Sequence, residues 1–106
     1  MNKQLDISEV HAEVCRYFNV DYFHPFVRST KKDYVYVRQI FHYVTRKMTN
    51  KKMVTFEKIG NYLSDISEPF SHSNVINSCN KIEGYLIYDK QVQKDVNDIM
   101  DNLLNQ

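Results

Sequence analysis

Two glycines, two prolines, two cysteines and no tryptophan stand among the 106 residues, and each shortage excludes something. So little glycine and proline leaves few tight turns, which argues against a sandwich or barrel and for an all-α protein. Cys15 and Cys79 are too few and too isolated for a disulfide framework or a zinc site, and are expected to be buried free thiols. His11 and Cys15 share a helix face at i, i+4, a spacing metals use, but nothing supplies two further ligands. No run approaches the roughly 20 apolar residues that span a bilayer, and no signal-peptide pattern opens the chain. The expected setting is therefore cytoplasmic, without a membrane partner. A glycine-rich phosphate loop is missing, because Gly60 and Gly84 stand alone and far apart. His11, His24, His42 and His72 lack any recognisable arrangement with a nucleophile and a carboxylate. Neither catalysis nor a cofactor is expected.

What the chain does have is apolar bulk and segregated charge. Hydrophobic residues make up 42%, with eight tyrosines and six phenylalanines, enough for one domain across residues 1–106 to bury a core. Net charge is only +1, but it is unevenly spread. Residues 28–58 hold nine cations against two carboxylates, a net of +7, while residues 1–27 carry −2 and residues 59–106 carry −4. A local basic face of that kind is what a phosphate backbone senses, although a solvated basic surface without a partner has the same composition.

Helical periodicity runs throughout. Ile7, Val10, Val14 and Phe18 predict a first helix over residues 6–19, with Asp6 or Ser8 as its start signal. Residues 19–26 read as a connector with one helical turn at most, and His24 before Pro25 marks a helix boundary. After a charged loop at residues 31–33, Tyr34, Val37, Phe41, Val44 and Met48 predict a helix over 34–49. A basic turn, residues 49–55, ends at Thr55, which can cap a helix whose core face is Phe56, Ile59 and Leu63. Gly60 inside it suggests close approach of a neighbouring helix. Residues 64–69 are the least regular part. From Ser71 a long helix is expected to run to about Tyr88, burying Val75, Cys79, Ile82 and Leu86 and turning Ser73, Asn74, Asn77 and Lys81 the other way. Val92, Val96, Ile99 and Leu103 mark the last helix, after a break near Asp89.

Helix, turn, helix, loop and helix between Arg38 and Lys81 form a helix-turn-helix, whose second helix would enter a major groove. Its first turn, Ser71, His72, Ser73 and Asn74, is polar and uncharged, which suits phosphates and base edges at a helix N-terminus. Asn74 or Asn77 could pair bidentately with adenine, Ser73 could make a general polar contact, and Lys81 could meet a phosphate or guanine. Arg38, Arg46, Lys47, Lys51 and Lys52 would bracket the duplex. The competing reading is a protein-interaction module, a dimer included, suggested by Tyr34, Tyr36, Tyr43, Tyr62, Tyr85 and Tyr88 on so small a chain.

The segment VRQIFHYVTRKMTN resembles the basic helix of the C-terminal DNA-binding domain (domain IV) of the bacterial replication initiator DnaA. Phe56 to Leu63, with Ile59 and Gly60, resembles that family's Ile-Gly helix. His72, Ser73, Asn74 and Val75 resemble the His-Thr-Thr-Val that opens its recognition helix, and Cys79 to Ile82 continues the match. The similarity covers about residues 7–104. It implies a Trp-repressor-like bundle of five to six helices that binds double-stranded DNA as a monomer. It also implies phosphate roles for Arg38, Gln39 and Arg46, groove contacts for His72, Ser73 and Asn74, and a basic loop reaching a minor groove at Arg28, Lys31 and Lys32. Where the family has Gly-Gly-Arg-Asp before the histidine, this chain has ISEPFS in a longer loop, with Phe70 and Ser71 at the Arg and Asp positions. The minor-groove arginine falls near Thr30. The expectation is a stand-alone DNA-binding module without ATPase activity, of weak or altered sequence preference, in replication initiation or its regulation. Such a module could compete for sites, mark DNA for a replication protein, or serve a mobile element.

Overall fold

Residues 5–64 and 69–105 are described by the computed structural model. They form five α-helices, α1 (Ile7–Phe18), α2 (Lys32–Met48), α3 (Phe56–Gly60), α4 (His72–Leu86) and α5 (Lys90–Leu104), with a short 3-10 turn at His24–Phe26. Among the described residues the only β pairing is an isolated parallel bridge between Leu5 and Thr49. The all-α helix-turn-helix bundle expected from periodicity is what the chain forms.

Side chains cap the starts of α1, α4 and α5. Asp6 accepts from the Glu9 N–H at 3.0 Å, Ser71 from the Asn74 N–H at 3.1 Å, and Asp89 from the Gln91 and Val92 N–H groups at 3.0 and 3.2 Å. Each cap satisfies donors that a helix cannot pair internally. α1 closes at Asn19, which takes the left-handed conformation (φ 54°).

α2 is the central helix and packs against α1, α4 and α5. Ile40, Phe41 and Val44 are fully buried, each contributing about 1.5–3 kcal/mol by leaving water. Burial on α2 extends beyond the expected stripe to Ile40, His42, Tyr43 and Thr45, because three helices cover it. The helix also begins at Lys32, not 34: Asp33 lies in the first turn, where a carboxylate favours helix. Lys32 and Asp33 thus belong to α2 and only Lys31 precedes it.

α2 and α4 run in the same direction. His42 Nδ1 meets Ser78 Oγ at 2.9 Å, Lys47 Nζ meets Glu83 Oε1 at 3.4 Å, and Arg38 shares a cavity with Asn74. All three pairs have the same sequence offset, so the two helices advance together from one end of the molecule.

The first helix of the helix-turn-helix is shorter than expected. α3 stops at Gly60, and the chain turns through residues 61–64 with Leu63 at φ 61°. Gly60 answers to a close approach, but of a loop backbone rather than a helix: the Phe70 N–H donates to the Gly60 carbonyl at 2.9 Å, and the Phe70 carbonyl fills the place of a β-carbon. Of the irregular stretch expected at 64–69, residues 65–68 lie outside the described residues. α4 ends at Leu86, two residues before Tyr88.

On the opposite side, the Asp95 carboxylate is buried and satisfied. The hydroxyls of Tyr17 and Tyr36 donate to it at 2.9 and 2.7 Å, and the Gln91 amide at 2.8 Å. α1, α2 and α5 are thereby tied by one anion. Cys15 and Cys79 are free, buried thiols, each pushed up to about 11, first by burial and then by a nearby carboxylate (Asp21 and Glu83, respectively). No helix of the described residues is long and apolar enough to cross a membrane.

Candidate nucleic-acid interface

The loop before α2 is anchored by Phe26, whose ring packs edge-on against Phe41 and His11 at 5.7 and 5.1 Å. From that anchor the chain carries Arg28 towards the start of α4. The Arg28 guanidinium donates to the Pro69 carbonyl and lies 4.1 Å from the Phe70 ring centroid. Arg38, one turn and a half into α2, reaches the same ring at 4.9 Å and donates to the Val27 carbonyl at 3.1 Å. Phe70 itself is 4% exposed. Its ring and that of His42 lie steeply tilted to each other, with centroids 5.7 Å apart.

Arg28, Ser29, Thr30, Arg38, Phe70 and Asn74 line an open cavity of about 190 Å³. Burial, and then the charge of Arg28, pull Arg38 below the usual arginine pKa. An anion placed in the cavity would offset both effects. The first turn of α4 beside it contains no acidic residue, and its cap uses the Asn74 N–H, so helix geometry leaves the N–H groups of His72 and Ser73 directed outward.

The expected base-contact residues divide. His72, Ser73 and Asn77 are exposed, whereas Asn74 is half-buried in the cavity wall. The expected phosphate residues divide too. Arg28 and Arg38 converge on the tip, with Gln39 half-buried next to Arg38 and Lys31 and Lys32 exposed at the start of α2. Arg46 lies two turns further along, about 12 Å by helical rise, with its guanidinium 4.0 Å from the Phe56 ring centroid. Lys47 is turned onto α4, paired with Glu83 and 5.5 Å from the Tyr43 ring centroid. Lys51 and Lys52 stand exposed on the turn organised by Asn50, whose side chain accepts from the Lys52 N–H at 2.9 Å. Lys81 is exposed on α4. The positive residues thus form a tip group and a second group at the far end of α2.

The resemblance sets Phe70 where a reading arginine would stand, whereas its ring turns inward. A signal was available: an aromatic residue directly before the Ser71 cap, with Val75 four positions after Ser71, is the spacing of a hydrophobic staple. Both residues belong to the core. Ser29 was missed as a cavity residue, and no motif marks it. Among the described residues no group of histidine, cysteine and carboxylate side chains could hold a metal ion.

The family described as bacterial dnaA protein helix-turn-helix matches residues 7–82. The chain is also similar to the chromosomal replication initiator protein DnaA of Bacteroides thetaiotaomicron, 27% identical over 97 residues, covering 92% of this chain and 19% of that protein. It therefore spans about a fifth of the length of that relative. By its helices, its Ser71-capped fourth helix and this match, the chain belongs to the bacterial DnaA helix-turn-helix family.

Proposed function

We propose that this chain binds double-stranded DNA, with the first turn of α4 directed into a major groove and Arg28 and Lys31 of the preceding loop, with Lys32 at the start of α2, against the adjacent backbone. The observation that carries the reading is the convergence of Arg28 and Arg38 on the cavity beside the α4 tip. In this reading Arg28, Lys31, Lys32, Arg38, Gln39, Arg46, Lys51, Lys52 and Lys81 serve phosphates. Lys47 contributes less, since Glu83 balances it. His72, Ser73 and Asn77 approach base edges, and Asn74 stays with the cavity. With no arginine at the Phe70 position, few groups read bases directly. Backbone contact then dominates, and sequence preference is weak.

The module acts as a monomer in replication initiation or its control, in the cytoplasm on the nucleoid, and without ATP hydrolysis of its own. A protein-interaction role has less support. Of the six tyrosines that suggested it, five are buried or half-buried, and only Tyr88 is exposed.

Fluorescence anisotropy with random and origin-like duplexes, at low and moderate salt, tests the proposal. Binding in the range of about 10⁻⁴–10⁻⁶ M that weakens linearly in log salt is expected. Absence of binding to either duplex at low salt would overturn it.

A further inference from the structure

Phe70 supports an inference that rests on the DNA-binding reading and deepens it. We propose that Phe70 is a positioning residue, its ring seating the Arg28 and Arg38 guanidiniums so that both close on one backbone phosphate of the duplex.

The two cations come from different elements, one from the loop after the 3-10 turn and one from α2. What they share is the ring. With guanidinium carbons 4.1 and 4.9 Å from its centroid, the two charges lie within about 9 Å of each other. Like charges separate unless something holds them, and a desolvated aromatic face attracts a guanidinium through its quadrupole. The remaining cavity residues are Ser29, Thr30 and Asn74, three neutral polar side chains. Both guanidiniums line this small polar cavity while each also donates to a loop carbonyl, Arg28 to Pro69 and Arg38 to Val27, and guanidinium N–H groups suit the oxygens of a phosphate.

The plate itself is fixed. Its backbone N–H is bonded to Gly60, its carbonyl lies against the same glycine, and its ring packs against His42, which is hydrogen-bonded to Ser78 on α4. Two long side chains held by a rigid ring lose less freedom when an anion arrives. A phosphate carries no base identity, so this clamp adds affinity and register without adding sequence preference.

Side-chain NMR of the arginines and DNA titration of Phe70→Leu and Phe70→Tyr test the assignment on the full chain. Without DNA, the Arg28 and Arg38 side-chain signals should be displaced by the ring in the native protein and return towards free-arginine positions in Phe70→Leu. With a random duplex, Phe70→Leu should bind about tenfold more weakly with a salt slope smaller by about 0.9, one phosphate lost. Phe70→Tyr, which keeps the ring, should stay within about twofold of the native protein. Native arginine signals at free-arginine positions overturn the proposal with no variant needed. So does a native chain that binds DNA while Phe70→Leu, folded by thermal melt, keeps the same slope. Ring-displaced arginine signals in a native chain that binds no duplex at low salt overturn the DNA-binding reading instead.

Discussion

The carbonyl of Phe70 occupies the space in which a β-carbon on Gly60 would lie, and the Phe70 N–H donates back to the Gly60 carbonyl at 2.9 Å. Phe70, directly before the α4 cap, is locked to the end of α3 by that reciprocal contact. Alanine is the better helix former, yet at position 60 it would drive backbone against side chain. Gly60→Ala should therefore destabilise the fold by about 2 kcal/mol or more. Gly84, in α4, has open space around it, and Gly84→Ala should stabilise by about 0.5–1 kcal/mol. Urea midpoints of the two variants should move in opposite directions.

Acid should weaken the fold through His42. Burial, and then the Arg38 charge, push its pKa down to about 3 from 6.5. The unfolded chain takes up this proton near pH 6.5 and the folded chain only near pH 3. Stability from this group is thus complete above pH 6.5 and drains away as pH falls through that window, by up to about 1.4 kcal/mol per unit. His42→Gln keeps a polar neighbour for Ser78 and removes the titration. Between pH 7 and pH 4 the native protein should lose more of its urea midpoint than the variant does. Parallel losses would show that His42 is not the group responsible.

Removing the Asp95 carboxylate should cost more than removing an exposed one. Asp95→Ala strands the Tyr36 hydroxyl and takes one acceptor from Tyr17, which keeps Asp98 at 3.1 Å. A loss of about 1–3 kcal/mol is expected. Asp101→Ala, at an exposed position in the same helix, should stay within about 0.5 kcal/mol of the native value. Thermal melts of the pair provide the comparison.

DNA binding should separate affinity from preference. Arg38→Ala should weaken binding to every duplex alike and lower the salt slope by about 0.9. Asn77→Ala should leave the slope alone and flatten whatever preference exists, by about 1–3 kcal/mol at one base pair. Competition titrations with permuted duplexes distinguish the two. A slope unchanged by Arg38→Ala would remove Arg38 from the phosphate contacts.

Local pattern carried the fold well. Val92, Val96, Ile99 and Leu103 are all buried as their spacing required, and the Ser71 cap follows from its hydroxyl and position. Element ends were less legible. The end of the five-residue α3 is met by Phe70, whose neighbours Arg28, Arg38, His42 and Gly60 come from three other stretches of chain. Periodicity reports which face of one helix is apolar and says nothing about partners that distant. For the same reason, a basic run from 28 to 58 gave no hint that Lys47 would turn to Glu83 while Arg38 turned to Phe70.

The shared direction of α2 and α4 has an electrical consequence. Peptide dipoles in antiparallel neighbours cancel, but here they add, placing two half-charges of the same sign, about one elementary charge together, at the pole where both helices begin. Arg46 and Lys47 sit in the last turn of α2 and compensate the opposite pole. The backbone alone thus orients this small protein in the field of an approaching anion.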